Sequence, residues 1–450
     1  MTHPHARRPR HSFVQEVKDA VTPRATLLVV GVLALQLLFI ASYVGALHHP
    51  KPKDVPFAVA APGAAAGQTV ARLRQLPGSP LDPRAVADEA AARRQILDRD
   101  VDGALVVSPG GTTDTLLVAT GGGTILATSL ERIVGPVEQA QHRTVRTVDV
   151  APASTGDFNG LSSFYLVVGW CVGGYLCASI LAISTGARPA NLRRAAIRLG
   201  AMAFVAAVGG LGGAVIVGPV LGALPGGVAA LWGLGALITF AVGAATLALQ
   251  GVFGVIGIGL AILLVVIAGN PSAGGAFPLP LLPPFWKTIG PALPPGAGTW
   301  AARSIAYFRS NALTGALLVL GAWAAAGVVV TLLASGQRRG RGGGAVGAAW
   351  KDSPDPVAGT AATAAAGAAT AGAAGHGGSP QAGGAAPAGS SAPAPPVNDT
   401  FTDPGPAASG PDPGTGPRTD AAAQGPAPGP APEAAPDTGT DPGADPGADA

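Results

Sequence analysis

Two groups of cations are the residues best placed to do chemistry in this chain. Lys287 and Arg303 interrupt an apolar, proline-broken segment, and Lys287 directly follows Phe285-Trp286. A long cationic stem beside aromatic rings suits an anionic head group at a membrane surface: the stem lies along apolar matter while its charge snorkels to water. Phe285, Trp286, Lys287 and Arg303 are therefore the candidate substrate-facing residues, and an inert interfacial loop is the second reading. The other group, Arg193, Arg194 and Arg198, lies between two apolar runs. It reads either as an orientation signal or as a contact for a cytoplasmic partner.

No catalytic constellation accompanies them. His142 stands alone, and His48-His49 have no cysteine or carboxylate at ligand spacing, so no metal is expected. Asp98, Asp100 and Asp102 alternate as in a calcium loop, but Pro109 stands where that loop needs its bidentate acid, and a solvated loop is the better reading. Cys171 and Cys177, six apart in one apolar run, face different sides of a helix and predict no disulfide. There is no G-x-x-x-x-G-K-[ST] motif, so the chain is not expected to hydrolyse ATP, and no cofactor or enzymatic activity is expected.

The elements that must position these residues are membrane helices. From Leu199 to Trp286 the chain carries no charged residue. A soluble core does not tolerate such a run, whereas a bilayer takes about 20 apolar residues per helical crossing. A 48% hydrophobic, 12% charged composition and a mean hydropathy of +0.40 agree, and a net charge of +3 is too small to argue for nucleic acid. The Ala, Gly, Pro and Arg bias suggests a high-GC bacterial gene.

The pattern predicts a polytopic α-helical protein with six transmembrane helices at residues 25–47, 162–185, 199–223, 227–249, 251–268 and 313–334. This count places the basic clusters Arg7–Lys18, Arg188–Arg198 and Arg338–Arg341 on the cytoplasmic side. Both termini are then cytoplasmic, in a multi-pass protein of the plasma (inner) membrane. The first span reads as an uncleaved signal anchor, with a cleaved signal peptide as its rival. No Asp, Glu, Lys, Arg or His lies within any span, so energy for transport is expected to come from a separate subunit.

Residues 48–161 are then extracytoplasmic. Turn signals at Pro62-Gly63, Pro77-Gly78 and Pro109-Gly110-Gly111 divide them into the order β-α-β-α-β-β-α-β, with Asp88 as a helix N-cap, a small α/β domain. Residues 269–312 are too apolar for water and too rich in proline to span. They are expected to form a re-entrant or interfacial loop that returns to the side it left. Residues 1–24 read as a basic leader with an interfacial helix at 12–21. Residues 340–450, rich in Ala, Gly and Pro, read as a disordered cytoplasmic tail.

Two segments carry a family likeness. Asp88–Leu97 followed by Asp102-Gly103-Ala104-Leu105-Val106-Val107-Ser108-Pro109, and Asn270-Pro271-Ser272 with Gly274-Gly275, Leu282-Pro283 and Phe285-Trp286, resemble motifs of the type 2 ABC exporter permeases. Within that superfamily they are most similar to the branch of the YhgE/Pip phage-infection proteins and the fungal nitrosoguanidine-resistance protein. The resemblance covers residues 20–337. It implies a homodimeric permease that moves an amphiphilic or hydrophobic substrate outward and pairs with a separate ATP-binding subunit. Arg193, Arg194 and Arg198 would be its ATPase contact. The loop that should make that contact, residues 186–198, is short, and a non-transporting scaffold or surface receptor is the alternative.

Overall fold

A computed structural model describes residues 23–336 of the 450-residue chain. The expected interfacial helix at 12–21 and the expected tail at 340–450 lie outside the described residues.

Helix α1 (Pro23–Leu47) carries an apolar run over Val29–Leu47, and most of its described side chains point away from the protein. Near its end Ser42 and Ala46 are buried, and the Ser42 hydroxyl donates to the Ile267 carbonyl. The α/β domain follows. Its elements are β1 (Val55–Ala60), α2 (Ala64–Arg74), β2 (Leu81–Val86), α3 (Glu89–Leu97), β3 (Gly103–Val106), β4 (Thr113–Val118), α4 (Thr124–Gln139) and β5 (Thr144–Asp149), in the expected order. The sheet runs β2-β1-β3-β4-β5. The β3–β4 hairpin is its antiparallel pair, and β1 with β2, β1 with β3, and β4 with β5 are parallel.

Side-chain alternation in the strands splits this domain's core in two. Val55, Phe57, Val59, Leu105, Leu116 and Val118 pack under Leu73 of α2 and Leu130 and Val134 of α4. On the other face Ala58, Ala104 and Leu117 meet Ala92 and Ile96 of α3. Asp88 caps α3 as expected, its carboxylate accepting from the Ala91 N–H at 2.7 Å. Arg143 ties the hairpin to the sheet edge. It grips the fully buried Asp114 carboxylate with two nitrogens and donates to the Ser108 and Gly111 carbonyls at 3.1 and 2.8 Å.

Among the described residues, five helices are long and apolar enough to cross a membrane: Val29–Leu47 within α1, α5 (Ser162–Thr185), α6 (Leu192–Val215, continued by a π-helical turn to Val220), α7 (Val228–Phe253) and Leu313–Ser335 within α11 (Leu313–Gly336). Between α7 and α11 comes a shorter apolar helix, Ile256–Ser272. It begins as α8 (Ile256–Ile262), widens into a π-helical stretch at Leu263–Gly269 and closes on Asn270–Ser272.

Two expected span boundaries move. The third span starts at Leu192 rather than 199, because Asn191 caps the helix by accepting from the Arg194 N–H at 2.9 Å; the arginines thus belong to the first turns of α6. The fourth runs on to Phe253, and the break falls at Gly254, whose φ of 68° suits glycine, not at 250–251. The expected fifth span, 251–268, is met only by the shorter apolar helix Ile256–Ser272, which is not one of these five. Pro271 is accommodated beyond the widened turn, where the helical register has already changed.

These helices shuttle between two ends of the molecule. At one end Arg188, after α5, donates to the Val252 carbonyl at 2.8 Å, and Gly251 lies against Ala334. At the other, Ser154 of the α/β domain donates to the Ala223 carbonyl at 2.6 Å, and α1 meets Ile267. Helices α5, α6 and α7 pack through glycine. Trp170 lies in a slot between Gly213 and Gly235, where a Cβ on either would come within 2.4 Å of its ring, and its Nε1 donates to Gly209 O at 3.2 Å. Gly169 and Gly173, by contrast, face open space.

Candidate functional site

The proline-broken segment folds into α9 (Pro284–Ile289), a 3-10 turn at Gly290–Ala292 and α10 (Pro294–Tyr307). Pro294 and Pro295 open α10, where their missing N–H groups cost no helix bond. Nearly all of α10 is buried, and Gly298 lets it approach Val167 of α5 and Ile238 of α7. Irregular backbone in a membrane setting is tolerated where protein covers it, and here protein does. Trp323 of α11 holds the segment from the other side, its Nε1 donating to Ala292 O at 2.9 Å.

The α/β domain docks onto α10 through the loop that ends α3. Arg99 adopts a left-handed conformation with φ 62°, an uncommon setting for a residue with a side chain. That conformation lays its guanidinium 3.3 Å from the Trp300 ring centroid and 4.7 Å from that of Phe308. Its Nη1 donates to the Trp300 carbonyl and the Ser304 Oγ, both at 2.8 Å. Asn311 reaches back, its Nδ2 donating to the Leu97 carbonyl at 3.1 Å and to Asp98 Oδ1 at 2.8 Å.

Beneath this contact lies a cavity of about 210 Å³ between the two parts. Arg99, Asp100 and Asp102 line it from the domain, Lys287 from α9, and Trp300 and Arg303 from α10. Asp102 places its N–H on the Pro56 carbonyl at 2.9 Å, while its carboxylate makes no hydrogen bond among the described residues. Burial pushes the Asp102 carboxyl up to about 6, against the opposing pull of Arg99 and Lys287. Burial, with the repulsion of Arg303, pushes Arg99 down to about 9, still a cation at neutral pH.

The expected site residues divide. Lys287 and Arg303 both line the cavity. Lys287 is half-buried and donates to the Lys53 carbonyl at 3.3 Å. Arg303 is buried rather than snorkelling: Nη1 donates to Gly274 O at 2.7 Å and Nη2 to Gly275 O at 2.8 Å and Gly160 O at 3.2 Å, which leaves its Nε–H without a partner. Phe285 is 63% exposed and stands outside, edge-on to the half-buried Trp286 ring.

At the far end Arg193 and Arg194 are exposed. Arg198 is turned inward, closing the end of α5 by donating to the Thr185 and Gly186 carbonyls at 3.1 and 2.7 Å. That removes it from the surface an ATPase contact needs.

Arg99, Asp102, Trp300 and Ser304 are the residues sequence reasoning passed over. The alternating acids read as a solvated loop, yet only Asp98 and Asp100 are exposed. Isolated cations and aromatics two hundred positions apart gave no local signal. The chain matches no family model, no curated protein and no solved structure, which leaves the chemistry of this junction as the ground for a functional reading.

Proposed function

We propose that the chain is the membrane permease subunit of a type 2 ABC exporter, moving an amphiphilic or hydrophobic substrate outward with energy from a separate ATP-binding subunit. The observation that carries this reading is the broken segment 273–312. It leaves helix Ile256–Ser272 and enters α11 at the end of the molecule where the α/β domain sits, and is clamped between that domain and α5, α7 and α11. Helix Ile256–Ser272 joins the same two ends as the longer helices, and 17 residues reach about 25 Å, close to a hydrocarbon core. Counting it makes six spans, and with the basic clusters on the inner side our reading has both termini cytoplasmic and the α/β domain extracytoplasmic. A homodimer of such permeases would present two copies of Arg193 and Arg194 to the ATPase.

The test is copurification. Tagged protein from its native membrane should bring down an ATP-binding subunit, and joint reversal of Arg193 and Arg194 to Glu should release it while membrane insertion persists. A cysteine at Ser79 should react with an impermeant thiol reagent in intact cells and one at Ser353 should not; the opposite pattern overturns the orientation.

A second reading, a non-transporting scaffold or receptor, draws on the link between α5 and α6. Residues 186–191 are too few for a coupling helix, and Arg198 is occupied within the protein. Recovery of a pure homo-oligomer without any ATPase would favour it.

A further inference from the structure

The cavity under Arg99 holds polar groups that the docking of the two parts leaves unused. Arg303 gives both terminal nitrogens to carbonyls, yet its buried Nε–H has no partner. Lys287 has a single long contact at 3.3 Å, and Arg99 uses one of its three nitrogens. Facing them, the Asp102 carboxylate accepts no hydrogen bond among the described residues. Most of the remaining lining is apolar, Leu126, Pro278, Trp300 and Phe308 among it. Three cations against Asp100 and Asp102 leave the lining at +1. A volume of about 210 Å³ is many times what a single water needs and leaves room for a phosphate or carboxylate with a short polyol.

We propose that this cavity binds a monoanionic head group, a phosphodiester or carboxylate borne on a polyol or an amphiphile, through Arg99, Lys287 and the free Nε–H of Arg303, and that protonation of Asp102 admits it. Protonation raises the lining to +2 and turns a repelling carboxylate into a hydrogen-bond donor aimed at the anion. With the Asp102 carboxyl at about 6, this exchange falls in the weakly acidic range. The charged groups around it are Asp98, Arg99 and Asp100 on its own loop, Arg84 on β2, which donates to the Asp100 carbonyl at 2.8 Å, Lys53 before β1, Lys287 on α9 and Arg303 on α10. The inference extends the export reading by naming a ligand class. Binding is measured without transport or ATPase, so either idea can fail alone.

The test is calorimetric titration of the full chain in neutral detergent. Glycerophosphoglycerol serves as a free phosphodiester, dihexanoyl phosphatidylglycerol as the same anion on a lipid, and dihexanoyl phosphatidylcholine as the zwitterionic control. Both anions hold a constant charge from pH 5 to 8. Binding of at least the lipid anion should tighten about twentyfold between pH 7.5 and pH 5.5 for a gating group near 6. Asp102→Asn should bind at pH 7.5 as the parent does at pH 5.5, and lose the pH dependence. Lys287→Gln should weaken binding about tenfold with an unchanged melting temperature. Binding of both anions identifies the free phosphodiester as sufficient, binding of the lipid alone identifies a lipid head group, and either sustains the site. Anions bound no better than phosphatidylcholine, or a pH dependence that survives Asp102→Asn, would overturn it. Should Asp102→Asn not fold, the parent's pH profile and Lys287→Gln decide.

Discussion

Arg143→Met tests how the α/β domain holds its hairpin. The parent guanidinium makes a two-nitrogen contact with Asp114, whose side chain is fully buried, and closes residues 108–111 onto β5. Glu138, 2% exposed, lies close by, with Arg143 Nε at 3.9 Å and Arg72 at 3.8 Å. Burial alone would raise Asp114, but Arg143, the Ser108 N–H and Glu138 outweigh it and hold the carboxyl below its usual range. Burial and the neighbouring Asp114 together raise Glu138.

Methionine fills similar space but leaves a buried carboxylate without its cation, a change that costs about 3–5 kcal/mol. For a domain of this size that corresponds to a fall in melting temperature of more than 10 °C, at about 4–8 °C per kcal/mol. The sign with pH follows from Asp114. A carboxyl depressed in the folded state contributes stability above its unfolded pKa and loses it as pH falls through the folded value. The variant's deficit should therefore be largest near pH 8 and shrink toward pH 4.5, where Asp114 or Glu138 takes up a proton. Adding Glu138→Gln should recover part of the loss at pH 8. The assay is thermal scanning of the full chain in detergent, with hydrogen exchange of the β3–β4 hairpin as the local readout. A deficit equal at every pH, or none at pH 8, would refute the buried-charge reasoning.

Asp102→Asn should be worth about 3 kcal/mol of stability at pH 7.5, from a shift of about two units at 1.36 kcal/mol each. A carboxyl raised in the folded state stabilises below its unfolded pKa and loses that contribution as pH rises through about 6, so the gain should vanish near pH 4. A variant less stable than the parent at pH 7.5 would mean that Asp102 is ionised in a favourable pair. Gly235→Ala should drive a methyl into the Trp170 ring and cost about 1–3 kcal/mol, recovered by adding Trp170→Leu; an unperturbed melt would contradict the slot. In a background with Trp286 as the sole tryptophan, brominated lipids should quench its fluorescence, and an emission maximum typical of full water exposure with no quenching would place α9 away from the bilayer.

Local pattern was enough for much of this fold. The order β-α-β-α-β-β-α-β was legible because Pro-Gly breaks and alternating strands each speak within a few residues, and Asp88 caps α3 because an N-cap is a three-residue event. The apolar helices were legible because a bilayer imposes a length on each crossing. Tertiary structure decided what local pattern leaves free. Gly213 rather than Gly169 meets a neighbouring helix, since a spacing of small residues does not say which face has a partner. Asn191 started α6 early, and Arg198 turned inward to the carbonyls of Thr185 and Gly186 at the end of α5. The candidate site shows the same division. Lys287 and Arg303 stood out as charges in an apolar run, but Arg99 and Asp102 gained their meaning only when a loop of the α/β domain met α10 about two hundred residues away. A buried charge is defined by the groups that desolvate it, and here those groups come from the other end of the chain.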